Sequence, residues 1–209
     1  MLSDSGKNEM PGGRVKLRWP LYFIRHGQTD WNAERRFQGH AEIPINETGR
    51  KQASRNGDAL ASEIDNPDNM FFAASPLIRT RQTMEIIRKR LSLPSRRYML
   101  DDRLIEIDLG DWNGRTPDEV NTDDPGVFER RNQSKWDYTI PGGESYADAA
   151  VRTRDFLTSL SGPSLIVGHG ASGRLLRGYL RGLKPKAVAH LPAPQDVVFK
   201  LNKGKEIIL

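Results

Sequence analysis

Two of the chain's four histidines stand in matching local settings. His26 belongs to Ile24-Arg25-His26-Gly27, directly after the apolar run Leu21-Tyr22-Phe23, and the segment continues through Gln28, Thr29, Trp31 and Asn32. His169 lies between Gly168 and Gly170, directly after Leu165-Ile166-Val167. An imidazole at the end of a short strand, next to a guanidinium and a glycine that lets the chain turn, suits phosphoryl transfer to histidine. The imidazole is the nucleophile, the guanidinium binds the phosphate, and free backbone approaches it. No histidine or carboxylate pair shows a recognisable metal-ligand spacing, and the chain has no cysteine. A metal site and a cofactor are therefore not expected.

Such groups need elements to carry them. Leu21–Ile24 reads as a buried strand, Met70–Ala74 as a second, Tyr98–Leu100 as a short third and Leu165–Val167 as a fourth. Val197–Leu201 and Glu206–Leu209 read as a hairpin turning at Asn202-Lys203-Gly204. Glu47–Ile64 has helical spacing at Ala53, Leu60 and Ile64. Ser75-Pro76 resembles an N-cap followed by a first-turn proline, and Leu77, Met84, Ile87 and Leu91 form the stripe of the helix behind it. Tyr146, Ala149, Ala150, Phe156, Leu157 and Leu160 mark another helix, and Ala171–Leu180 a further one. Strands alternating with helices predict an α/β fold: one domain over residues 19–209, a three-layer sandwich with a mostly parallel sheet flanked by helices. Residues 1–18 lack apolar periodicity and are expected to form a flexible extension. Residues 110–143 are rich in Gly, Pro, Asp and Asn, with helical turns expected near Pro117–Val120 and Val127–Lys135. That is too long for a plain connection and predicts an insertion capping the substrate.

Ligands of open α/β sheets collect beyond the carboxyl ends of the strands. His26 and His169 belong on that edge. Arg79, in the first turn of the helix after the second strand, projects roughly 110° from its own helix's apolar stripe, so packing does not require it. It is free to converge with Arg25. An acid is needed for the departing alkoxide, and the stretch from Leu104 to Gly114 offers Glu106, Asp108 and Asp111. A substrate dianion beside such a carboxyl would favour its protonated form. Glu106 could equally be a fixed partner of one of the arginines. His40 could reach the pocket mouth, but both it and His190 are expected to be surface or packing residues. Trp112 and Trp136 are expected to anchor the insertion.

Taken together, the motifs resemble those of the histidine phosphatase superfamily, the phosphoglycerate mutase-like group, from about Tyr22 to the C-terminus. Arg25-His26-Gly27-Gln28-Thr29 with Trp31-Asn32 resembles the nucleophile motif. Pro44-Ile45-Asn46-Glu47-Thr48-Gly49 with Gln52-Ala53 resembles the next segment, and Ser75-Pro76-Leu77 with Arg79, Gln82 and Thr83 the second arginine's. Leu104, Glu106, Gly110, Trp112 and Gly114 resemble the proton-donor motif; Pro141-Gly142-Gly143-Glu144-Ser145 and Gly168-His169-Gly170 follow in the family's order. The resemblance implies a phosphoglycerate mutase-like fold and a metal-independent phosphomonoesterase that forms phosphohistidine on a small phosphorylated metabolite. It implies that His26 is the nucleophile, Glu106 the proton donor, and Arg25, Arg79 and His169 the phosphate ligands. Asn32, Gln38, Gly39 and the backbone after Gly170 would complete the substrate cradle. His26 must attack with an unprotonated nitrogen, so its other ring nitrogen should donate to a nearby carbonyl.

Gly110-Asp111-Trp112-Asn113-Gly114 resembles the phosphatase branch, including alpha-ribazole and broad-specificity phosphatases. The Arg130-Arg131 pair keeps a phosphoglycerate mutase open, since mutases of the family place a basic pair in this insertion for the substrate carboxylate. A non-catalytic phospholigand-binding protein is a third reading, against which stands the retention of both His26 and Glu106.

The net charge of +5 lies within the range of an ordinary small domain, and its Lys and Arg are scattered instead of striped with aromatics. Nucleic-acid binding is not expected. No apolar stretch approaches the ~18 residues that span a bilayer. The polar, glycine-rich start from Met1 to Gly13 is unlike a secretory signal. The expectation is a cytoplasmic protein without membrane partners, acting as monomer or homodimer.

Overall fold

The computed structural model describes residues 9–209. The elements run β1 (Leu21–Arg25), α1 (Asp30–Ala33), α2 (Glu47–Glu63), β2 (Phe71–Ala74), α3 (Ile78–Arg90), β3 (Met99–Leu100), α4 (Pro117–Asp123) and α5 (Val127–Gln133). They continue with α6 (Tyr146–Ser159), β4 (Ser164–Gly168), α7 (Gly170–Arg181), α8 (Pro185–Ala189), β5 (Phe199–Asn202) and β6 (Lys205–Ile208). The strands form one six-stranded sheet in the order β3-β2-β4-β1-β5-β6. The first four in that order are mutually parallel, and the β5–β6 hairpin is antiparallel at the far side.

Successive strand residues face opposite layers, as the period of a strand demands. Leu21 and Phe23 of β1 and Ile166 of β4 pack with Ala149, Phe156, Leu175 and Tyr179 of α6 and α7. Tyr22, Ile24, Leu165 and Val167 face Leu60 of α2 and Met84 and Ile87 of α3. The chain is thus a mixed α/β domain of three layers. Because β2, β4 and β1 are parallel neighbours, the turns following all three emerge on one edge.

Two expectations are corrected here. The described part of the supposed extension, residues 9–18, is packed: Met10 and Val15 are buried in the α6–α7 core. Val15 N donates to Tyr179 O at 3.2 Å, and Arg14 Nε to Leu180 O at 3.2 Å. Two apolar residues without period suffice to seal an open flank, and they leave no periodic signal. Residues 1–8 of that expectation lie outside the described residues. The second correction is α3, which starts at Ile78, not behind a Ser75 cap. Its Ile78 N donates to the Glu42 carboxylate at 2.6 Å, so the orphan donor is satisfied from a distant loop.

Residues 110–143 hold α4 and α5 around a small core of their own. Trp112, Val120, Val127 and Ile140 are buried there against Phe37, Phe128 and Tyr138. Trp112 is a packing anchor of this segment, with ring centroids 5.3 Å from both Phe37 and Phe128.

Candidate active site

Arg25 closes β1 opposite Gly168 of β4, and the His26 N–H donates to Gly168 O at 2.9 Å. His169 follows β4 directly. The two imidazoles therefore meet at the carboxyl edge, with ring centroids 5.2 Å apart. Both are buried, as is Arg79. The His26 Nδ1–H donates to the Gly27 carbonyl at 2.9 Å, which leaves Nε2 with its lone pair, as a nucleophile requires. Burial, then the charges of Arg79 and Arg25, push the His26 pKa well below its ordinary value. The ring is neutral at neutral pH.

Arg79 is held by three acceptors. It donates to Ala41 O and Gly39 O, each at 2.7 Å, and through Nε to His169 Nδ1 at 3.3 Å. A guanidinium only donates, so His169 carries its proton on Nε2, which points at Ser75 Oγ at 2.8 Å. Ser75 thus fixes the second histidine in place of capping a helix. Burial lowers the Arg79 pKa to about 10, with Glu106 and Glu42 opposing the shift, so it stays charged at neutral pH. Gly39 has a φ of +44°, which a side chain rarely tolerates, and its carbonyl is one of the groups aiming Arg79. Gln38 beside it is buried, and its side-chain oxygen lacks a hydrogen-bond partner among the described residues.

The floor of the site lies over Gly170. A Cβ there would come within 3.5 Å of Arg174 Nη1, 3.5 Å of Glu106 Oε2 and 3.8 Å of Arg25 Nε. Arg25 Nη1 donates to Ala193 O at 2.7 Å, while its buried Nε is without a partner among the described residues. Glu106 accepts from Ala171 N at 3.0 Å, Ser172 N at 3.3 Å and Ile107 N at 3.1 Å. The N–H groups after Gly170, expected to cradle phosphate, therefore hold the carboxylate; the positive end of α7 attracts it for the same reason it would attract a phosphate. Asn32 is half committed to the scaffold. Its Oδ1 accepts from Thr29 N and from Gln195 Nε2 at 2.9 Å, completing the cap of α1.

His26, Arg25, Arg79, His169, Glu106 and Gly170 come together, with Gln38 and Gly39 in the loop over Arg79. Asp108 instead binds Gly110 N at 2.9 Å, and Asp111 is exposed. His40 is exposed yet close: its Nε2–H donates to the Glu106 carbonyl at 2.8 Å. Sequence reasoning missed Arg174, although it lies one helical turn past Gly170 and so shares its face. It also missed Gln195 and Lys135.

The Arg130-Arg131 pair divides. Arg130 is exposed and pairs with Asp124, whereas Arg131 lies over the Trp112 ring at 5.5 Å. Burial, then the charge of Arg174, lowers the Lys135 pKa to about 8, with Arg131 adding to it. Arg174 donates to Tyr146 Oη at 3.2 Å and to Leu191 O at 2.5 Å. Among the described residues, none of Arg131, Lys135 and Arg174 forms an ion pair with a carboxylate, and no cluster of His, Asp or Glu could hold a metal ion. No described helix is long and apolar enough to cross a membrane.

Residues 21–203 match the model of the histidine phosphatase superfamily (branch 1). The chain belongs to that family. It is 33% identical over 168 residues to "Probable phosphoglycerate mutase GpmB" of Salmonella paratyphi C (strain RKS4594), covering 78% of this chain and 75% of the relative. The namesake from Photorhabdus laumondii is 32% identical over 176 residues, covering 82% and 79%. Among solved structures, a mycobacterial glucosyl-3-phosphoglycerate phosphatase complexed with VO3 superposes with a TM-score of 0.78 at 26% identity, covering 91% of this chain and 96% of that one. Bacillus stearothermophilus YhfR gives 0.72 at 27% identity, covering 90% and 94%. Family members named as mutases and as phosphatases are thus both similar to this chain.

Proposed function

We propose that this histidine phosphatase family member is a metal-independent phosphomonoesterase that works through phosphohistidine on a small phosphorylated metabolite. The observation that carries the reading is the His26 ring, neutral and tied through Nδ1–H to Gly27 O, with Nε2 free beside Arg25 and Arg79. The Nε2 lone pair attacks phosphorus, and the ester P–O bond breaks as the N–P bond forms. The electron pair leaves on the alkoxide oxygen, which takes a proton from Glu106. Glu106 borders the floor beside Arg25 and is the carboxyl placed to hand over that proton. Arg25, Arg79 and His169 stabilise the charge on the equatorial oxygens. Water then attacks phosphorus as the N–P bond breaks and its electron pair returns to His26 Nε2; the Glu106 carboxylate takes the water's proton, and inorganic phosphate leaves.

The cations on the insertion side support a substrate with a second anionic group. Arg174 borders the floor, and Lys135 and Arg131 lie beyond it with no carboxylate partner among the described residues. The same feature, with the relatives named as mutases, favours a second reading in which phosphate returns to another hydroxyl of a phosphoglycerate.

The test is a phosphomonoester panel assayed in EDTA, with the enzyme quenched to trap an acid-labile, base-stable phosphoenzyme. Wild-type protein should form it and release inorganic phosphate, and His26→Ala should form none. Near-normal turnover by His26→Ala would overturn the reading. Label moving to the other hydroxyl of phosphoglycerate instead of water would favour the mutase.

A further inference from the structure

The segment Leu191-Pro192-Ala193-Pro194-Gln195 runs beneath the site as a strap. Its prolines lack N–H donors and fix an extended course, which leaves carbonyls as its main polar groups. Three consecutive carbonyls each take an arginine. Leu191 O accepts from Arg174 Nε at 2.5 Å, Pro192 O from Arg177 Nη1 at 2.6 Å, and Ala193 O from Arg25 Nη1 at 2.7 Å. Two of these arginines border the floor over Gly170.

Gln195 ends the strap with the opposite polarity. Its Nε2 donates to His26 O at 3.0 Å and to Asn32 Oδ1 at 2.9 Å, using both amide hydrogens. The His26–Gly27 peptide is thereby gripped at both ends, since Gly27 N donates to Thr83 Oγ1 at 3.0 Å. The next carbonyl, Gly27 O, is the one that receives the His26 ring proton. Holding this peptide plane holds the imidazole. The same amide decides which way Asn32 faces: with Oδ1 bound to Gln195 and Thr29, only the Nδ2 donors remain for an incoming anion.

We infer that Gln195 is a positioning residue for phosphoryl transfer, setting the pose of the nucleophile through the His26–Gly27 peptide and the donor face of Asn32. The inference rests on the phosphohistidine reading above. It touches no reacting atom, so its removal should slow the phosphorylation of His26 more than it weakens anion binding, because misplacing a nucleophile by a fraction of an ångström costs rate.

Two near-isosteric variants test this, Gln195→Met without the donors and Gln195→Glu, whose carboxylate can only accept. The probe is p-nitrophenyl phosphate, with inorganic phosphate as the binding control. Single-turnover phosphorylation of His26 should fall roughly tenfold in Gln195→Met and up to about a hundredfold in Gln195→Glu. Competitive inhibition by inorganic phosphate should change less than about threefold in Gln195→Met. Gln195→Asn, which keeps the donors on a shorter arm, should recover part of the rate. A rate within twofold of wild type in Gln195→Met would overturn the inference. So would equal losses in rate, phosphate affinity and thermal midpoint, which would mark a purely structural role. If wild-type protein itself formed no phosphoenzyme, the phosphohistidine reading would fail instead, and the two failures are told apart by that control.

Discussion

The floor of the site and the insertion side handle positive charge in opposite ways. On the floor, Arg79 is buried and Arg25 partly buried, and both are aimed by backbone carbonyls from two segments: Gly39 and Ala41 of one loop, and Ala193. A desolvated cation so fixed costs little reorganisation when phosphate arrives, which is the condition for electrostatic catalysis. On the insertion side, Arg131 lies over the Trp112 ring and Lys135 over the Tyr146 ring, both partly exposed and repelling Arg174. Unpaired like charges are a standing cost there, relieved only by an anion. On the proposed reading, the contrast assigns the reacting phosphate to the floor, whatever the ester, and selectivity for the rest of the molecule to the insertion.

The largest effect that could break this division is on the floor. Glu106→Gln should slow single-turnover cleavage of an alkyl phosphate by about 10²–10⁴-fold, the usual contribution of a general acid. p-Nitrophenyl phosphate, whose phenolate departs without a proton, should lose far less. Equal losses on both esters would remove Glu106 from the acid role and turn attention to Asp108. An effect confined to carboxylated substrates would blur the division itself.

How much of this was legible beforehand follows the same line. His26, Arg25 and His169 could be read because the signal is local: an apolar run, then the functional group, then glycine. Arg79 could be read because it lies off its helix's apolar stripe. What could not be read is held by long-range contacts. The cap of α3 comes from Glu42, and Gln195 reaches His26 across 169 residues of sequence. Neither leaves a periodic trace. The helix N-terminus after Gly170 was legible as an anion site, yet which anion it holds was not, because Glu106 and phosphate answer to the same dipole. The packing of residues 9–18 was hidden because Met10 and Val15 are too few to form a pattern.

A middle-sized effect sharpens the insertion's half of the comparison. Lys135→Met should raise KM for a phosphomonoester bearing a carboxylate by about tenfold, and leave KM for p-nitrophenyl phosphate within about twofold. Burial and Arg174 have brought the lysine to about 8, so its charge is lost above that pH. Wild-type KM for the carboxylated ester should therefore climb between pH 7.5 and 9, and the climb should be absent in Lys135→Met. A KM that rises equally for both esters in the variant would mean that Lys135 serves the reacting phosphate.

The smallest effect concerns stability and returns to the floor. His26 and His169 are both pushed well below the ordinary histidine value, first by burial and then by Arg79. A depressed folded pKa means that the unfolded chain binds protons more readily than the native one. The neutral rings therefore contribute stability that is fully present above the unfolded value of about 6.5 and is lost as pH falls below it. The loss is bounded at about 1.4 kcal/mol per pH unit for each ring, or roughly 2–6 °C in thermal midpoint for a chain of this size. Thermal unfolding from pH 7.5 to 5.5 should show a steeper decline in wild type than in His26→Asn/His169→Gln, which has nothing to protonate there. Lys135 is lowered in the same sense, but its transition near 8 lies above most of this window, so it adds little to the slope. Identical slopes in the two proteins would mean that the buried histidines take up protons in the folded state, and the neutral nucleophile would lose its physical basis.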